Sequence, residues 1–251
     1  RDIGVTGVQT CALPIFQEEI PVFDFTADIN RLLPDKLKLI DLPGAAEISS
    51  QMEINFSGNT PDNWEGEVQV NNLNYKADKT LYHINNISLA SDLDSLSRGI
   101  HITSDFMDGD LNGRFEFKSL KEAFIQLVPE FFPALMPECK KIETNQDFSY
   151  LIHLKNTSLI TEIFLPSWSI DPSTVIEGQF NGILNKFECN VSSNEIRYRN
   201  IRLIRQKLSL DAGREVVSAR VSADRLYYSD SSYIESPVFL ASGKFNEINF
   251  I

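Results

Sequence analysis

The side chains able to do chemistry are few and scattered. Histidines stand at His83, His101 and His153, none with a second ligand type at zinc spacing or with partners at triad spacing. Each falls at an outward or intermediate position of a strand-like segment and reads as a solvated surface residue. Asp105-Phe106-Met107-Asp108-Gly109-Asp110 gathers three carboxylates around a glycine. It lacks the ligand pattern and terminal glutamate of an EF-hand loop, so it reads as a hairpin turn. Cys11, Cys139 and Cys189 show no metal or redox spacing. Cys189 alternates with Phe187 and Val191 as a small hydrophobe, and a Cys139–Cys189 bridge is open only in an oxidising compartment. The glycines form no dinucleotide fingerprint, P-loop or nucleophile elbow. The expectation is a protein with no catalytic residue, no metal and no cofactor.

What these residues sit on is a run of alternating strands. The clearest stretch is Arg98 to Val128. Ile100, Ile102, Ser104 and Phe106 share one side of an extended chain, and Leu111, Gly113, Phe115 and Phe117 share one side of the next. The other sides are polar, which is how an antiparallel sheet wet on one face is written. The turn is expected at Asp108-Gly109-Asp110. A capping box, Ser119 with Glu122, should then open a helix near 119–128 that Pro129 ends or kinks. A second short helix is expected near 158–164, stopped by Pro166.

The same alternation recurs along the chain. Ile48, Met52, Ile54 and Phe56 face one way, then Trp64, Gly66, Val68 and Val70. Asn71-Asn72 and Asn85-Asn86 each shift the phase, which predicts bulges that bend the strands. Glu130 to Gln146, with Phe131, Phe132, Leu135 and Met136, reads as a loop plugged into the core or an exposed lip. Two halves echo each other loosely, through Glu65-Gly66 and Glu177-Gly178. Residues 1–15, RDIGVTGVQTCALPI, fit nothing that follows and resemble translated sequencing-adaptor sequence. They are expected to lie outside the fold, leaving 16–251 as one β segment, truncated at both ends.

Bulk properties narrow the partners. Among 251 residues, 23 Lys and Arg stand against 35 Asp and Glu, a formal charge of −12, which disfavours nucleic acid and anionic membrane surfaces. The basic run Arg197, Arg199, Arg202, Arg205 and Lys207 reads as a solvated strand face, because aromatics and glycine nests are missing around it. Phenylalanine outnumbers tryptophan 17 to 2, which suits a dry face without polar handles. No apolar stretch approaches the roughly 20 residues of a membrane-spanning helix, and no export signal is visible. A closed sandwich would need a second sheet to match the inward rows. An open-sided, folded sheet would leave part of them free for acyl chains.

GEVQVNNLNY at Gly66 to Tyr75, NNISLASD at Asn85 to Asp92, ITSDFMDGDLNGRFEFKSLKEAF at Ile102 to Phe124 and VPEFFPAL at Val128 to Leu135 together resemble the TamB proteins of Bacteroidota, relatives of AsmA-like and bridge-like lipid-transfer proteins. The resemblance covers Phe16 to Ile251 and rests on framework residues. It implies a long, bent, largely antiparallel sheet folded into a taco-like hydrophobic groove, in an envelope protein anchored in the inner membrane and reaching the outer membrane through the periplasm. It also implies phospholipid passage between the membranes and outer-membrane protein assembly with a BamA-type barrel partner. The expected groove lining, where residue pattern and resemblance meet, is Ile48, Met52, Ile54, Phe56, Val68, Val70, Ile100, Ile102, Phe106, Leu111, Phe115 and Phe117. The alternative is a scaffold for barrel assembly that carries no lipid.

Overall fold

A computed structural model describes residues 5–10, 20–33, 46–77, 80–94, 96–131, 145–213, 216–244 and 247–250. The chain is mostly β and largely antiparallel, with two helices among the described residues. It divides into two compact units, the first within Arg1–Leu93 and Ile100–Asp108, the second Asp94–Gly99 with Gly109–Ile251.

The first unit is a meander. Strands β1 (Val5–Thr10), β2 (Val22–Leu32), β3 (Ala46–Ser57), β4 (Glu65–Ala77) and β5 (Thr80–Leu93) each pair antiparallel with the next. Strand β1 falls within the residues expected to lie outside the fold. The period-two pattern becomes straight cross-strand rows: Phe25–Ile54–Val68–Leu89 and Ala27–Met52–Val70–Ile87 on one face, Thr26–Glu53–Gln69–Ser88 on the other. Side-chain bonds such as Ser88 Oγ to Glu67 Oε1 (2.8 Å) and Asn86 Nδ2 to Asn71 Oδ1 (2.8 Å) lace the polar face.

The predicted phase shifts are there. Asn72 has φ +51°, and β4 gains one residue on β3 between Ser49 and Gln51. Strand β2 gains one on β3 between Ile29 and Leu32. The β4–β5 register holds across both asparagine pairs, because each strand spends its extra residue at the same level.

Strands β6 (Arg98–Ser104) and β7 (Met107–Arg114) follow. The turn between them is at Asp105-Phe106, earlier than expected, and Asp108-Gly109-Asp110 lies inside β7. Ser104 fixes it: its hydroxyl oxygen accepts the amides of Phe106 (3.3 Å) and Met107 (3.0 Å) and donates to Met107 O (2.9 Å). Asp105 is held from the side by the main-chain and side-chain nitrogens of Asn85, both at 2.6 Å.

In the second unit, helix α1 (Phe117–Phe131) starts two residues before Ser119 and runs two past Pro129. The expected capping box is replaced by buried Gln146, whose side chain accepts the Glu116 amide (3.1 Å) and donates to Glu116 O (3.2 Å) and Ser119 Oγ (2.9 Å). Strand β8 (Asp147–Leu154) follows, then helix α2 (Ser158–Phe164), where expected. Residues 132–144, within the predicted plug or lip, lie outside the described residues, as does Cys139; Cys189 is a free thiol.

The rest is a ladder of β9 (Trp168–Ile170), β10 (Val175–Asn181), β11 (Lys186–Tyr198), β12 (Ile201–Ala212), β13 (Val217–Ser222), β14 (Arg225–Tyr227), β15 (Tyr233–Glu235), β16 (Val238–Lys244) and β17 (Glu247–Phe250). Long strands β11 and β12 form its spine. Toward one end the order is β8–β10–β11–β12–β13–β16–β17, and toward the other β9–β11–β12–β14–β15. The sheet is open, bent and not closed into a barrel. The β12 register is the same against β13 and β14, so β14 continues β13 after a break at Ala223-Asp224, and β15 and β16 break at Ser236-Pro237 in the same way.

Candidate functional site

In both units the candidate site is the apolar face, shaped by the line along which the strands change phase. In the second unit this line crosses four strands at one level. Its extra residues are Asn194, Arg205 (φ +48°), Asp224 and Ser236 (φ +50°). Arg205 pairs with Asp224 across the strands.

On the apolar face beside that line runs the row Thr174–Ser193–Gln206–Ala223–Pro237, and every member is buried. The adjoining row Ile152–Ile176–Val191–Leu208–Val221–Phe239 is less covered, with Phe239 51% exposed. So is the row beyond the line, Ile170–Ile196–Leu203–Leu226–Ile234, with Ile234 48% exposed. This buried row between two half-exposed ones is taken as the floor of a crease at the line where the strands change phase.

The first unit shows scattered burial on this face rather than a complete buried row. Ala27, Ser50, Tyr75 and Ile84 are buried near its phase shift, and Phe25, Ile54, Val68, Leu89, Met52, Val70 and Ile87 are half-buried.

Glycines let neighbouring residues approach this face closely. At Gly178 the Tyr150 ring takes the space of a side chain: an added Cβ would sit 2.4 Å from Tyr150 Oη and 2.0 Å from Glu188 O. Tyr150 Oη donates to Glu188 O at 3.1 Å. Burial first, and then its bond with the Cys189 thiol, pushes the Tyr150 phenol far above its ordinary pKa. It therefore stays neutral, as an apolar wall requires. Gly66, at φ +127°, admits the backbone of Asn55 and Phe56 and the Phe56 Cβ at similarly close range.

The twelve residues expected to line a groove separate into two groups. Ile48, Met52, Ile54 and Phe56 on β3 and Val68 and Val70 on β4 share one half-buried face. Ile100, Ile102, Phe106 and Leu111 are also half-buried. Phe115 and Phe117 behave differently. Phe115, 6% exposed, meets Phe148 edge-on at 5.8 Å, and Phe148 stacks on Phe180 at 5.4 Å, which makes a closed aromatic cluster. Phe117, 38% exposed, opens α1 and lies edge-on to Phe115. The Arg98 guanidinium covers both rings, 5.7 and 5.2 Å from their centroids.

The polar face carries other features. The arginines of the basic run do have aromatic neighbours, one adjacent in sequence, Arg199 over Tyr198 (5.2 Å), and one far away, Arg202 over Tyr227 (4.3 Å), with Arg225 over Tyr233 (5.1 Å) beside it. Two shallow depressions of about 470 and 600 Å³ also lie there, lined by Asp110, Glu177 and Glu188 in one and by Glu177, Lys207 and Arg220 in the other. Among the described residues no cluster of His, Cys, Asp or Glu could hold a metal ion, and no helix is long and apolar enough to cross a membrane.

Comparison with known protein families, with curated proteins and with solved structures found no match. Geometry alone gives an open, bent sheet with one half-exposed apolar face in each unit, compatible with seating an apolar ligand.

Proposed function

We propose that this chain is a segment of a TamB-type, bridge-like lipid-transfer protein of the cell envelope, which carries phospholipid acyl chains along its apolar face. In this reading the full-length protein is anchored in the inner membrane, crosses the periplasm, and works with a BamA-type barrel in outer-membrane protein assembly. It performs no catalysis and binds no nucleic acid. The supporting observation is the inversion of burial in the second unit, where a polar row is sealed while the apolar rows beside it stay half open. Fully burying a Val, Leu, Ile or Phe side chain is worth about 1.5–3 kcal/mol. Rows of such residues left partly wet forgo much of that, and an acyl chain laid along them recovers it.

The test is photo-crosslinking from the full-length protein in cells, with the crosslinker at Ile54 or Val68 on the apolar face and at Glu53 or Gln69 on the polar face. Phospholipid adducts from Ile54 and Val68, and none from Glu53 and Gln69, are expected. Adducts with barrel protein alone would instead favour the scaffold.

A further inference from the structure

The floor of the second crease carries one group that the sheet does not satisfy. Of its three polar members, Thr174 and Ser193 spend their hydroxyls locally. Thr174 Oγ1 lies 2.6 Å from both Asp171 O and Ser193 Oγ, and Ser193 Oγ donates to Glu195 O at 3.1 Å. Gln206, directly across from Ser193, is 3% exposed, and neither Nε2 nor Oε1 has a hydrogen-bond partner. Its neighbours on the other side, Ala223 and Pro237, have no side-chain donor or acceptor to offer. A buried amide left this way costs far more than an apolar side chain in the same place, and such a group in a folded protein calls for an explanation.

We propose that the Gln206 carboxamide is the polar contact of the groove in the second unit, taking the ester group of an acyl lipid whose chain lies on the flanking apolar rows. This rests on the lipid-carrying reading above. The amide offers N–H donors to an ester carbonyl and an oxygen to an adjacent hydroxyl. The guest group must be uncharged: Arg205 and Asp224, which flank the floor residues Gln206 and Ala223, are paired with each other and exposed, and a buried charge without a partner is prohibitively costly. Half-exposed walls can part over the floor, so a chain that spreads them also brings its ester to the amide.

The experiment compares a diester phosphatidylethanolamine with its dialkyl ether analogue, which keeps chains and headgroup but lacks the carbonyls, for binding to the purified chain. The expected result is a preference for the ester of about fivefold, the size of one net hydrogen bond. In Gln206→Leu the preference should vanish while ether affinity is kept. The wild-type ratio needs no variant, and Gln206→Met repeats the comparison if Leu does not fold. Equal wild-type binding of both lipids, or a preference that survives either substitution, overturns this assignment and leaves the groove standing. Binding of neither lipid overturns the groove itself, and this assignment with it.

Discussion

Gly178 shows how far the apolar face depends on single residues. Its missing Cβ makes room for Tyr150, and an added methyl would collide with main chain at Glu188 O as well as with the ring. Backbone cannot step aside as a flexible side chain can. Gly178→Ala should therefore lose about 1–3 kcal/mol, the usual cost of overpacking, read as a lower urea midpoint with an unchanged slope. Gly213→Ala is the matched control, since nothing lies within 4 Å of its added Cβ, and it should shift stability by no more than about 0.5 kcal/mol. At this scale the sequence is only partly readable. Glu177-Gly178 stands out as an echo of Glu65-Gly66, yet the ring that fills the gap comes from Tyr150 on another strand. Likewise the tyrosines beside Arg202 and Arg225 are invisible from the run Arg197 to Lys207, because cross-strand neighbours are set by register.

Among the elements, α1 separates what local pattern can tell from what it cannot. The Ser119–Glu122 spacing is a good capping signal, but the helix starts earlier because Gln146, thirty residues on, binds both main-chain groups of Glu116. If Gln146 is the cap, Gln146→Ala should destabilise by about 1–2 kcal/mol and speed hydrogen exchange in the first turn of α1. Ser119→Ala should do much less, and the opposite ranking would restore the capping box. The same contrast holds for the bends. Asn71-Asn72 and Asn85-Asn86 announce theirs because an apolar row visibly changes phase around paired asparagines, residues that tolerate positive φ. The second unit's line was not legible, since one of its left-handed residues is Arg205, a type rarely found there, and its floor is written in Thr, Ser and Gln. The hairpin turn was misplaced for a related reason: Asp-Gly-Asp has turn composition, but the Ser104 hydroxyl closes the turn sooner.

For the molecule, alternation along each strand was enough to place Ile54, Val68, Leu89 and their neighbours on one face. How much of that face protein covers depends on packing across strands that no local pattern encodes. Phe115 illustrates this, since it has the same alternation as Ile54 yet sits in a closed cluster with Phe148 and Phe180. On the proposed function the half-buried rows are kept for acyl chains. Trp64 is placed to report on it: its ring lies edge-on to Phe56, 5.9 Å away, on the apolar side of β4. With Trp168 replaced by Phe, Trp64 is the sole indole of the chain. The decisive measurement is its fluorescence with phospholipid brominated in mid-chain, against the same lipid without bromine. Quenching by the brominated lipid alone is predicted; equal emission with both, once lipid binding is saturated, would contradict the account.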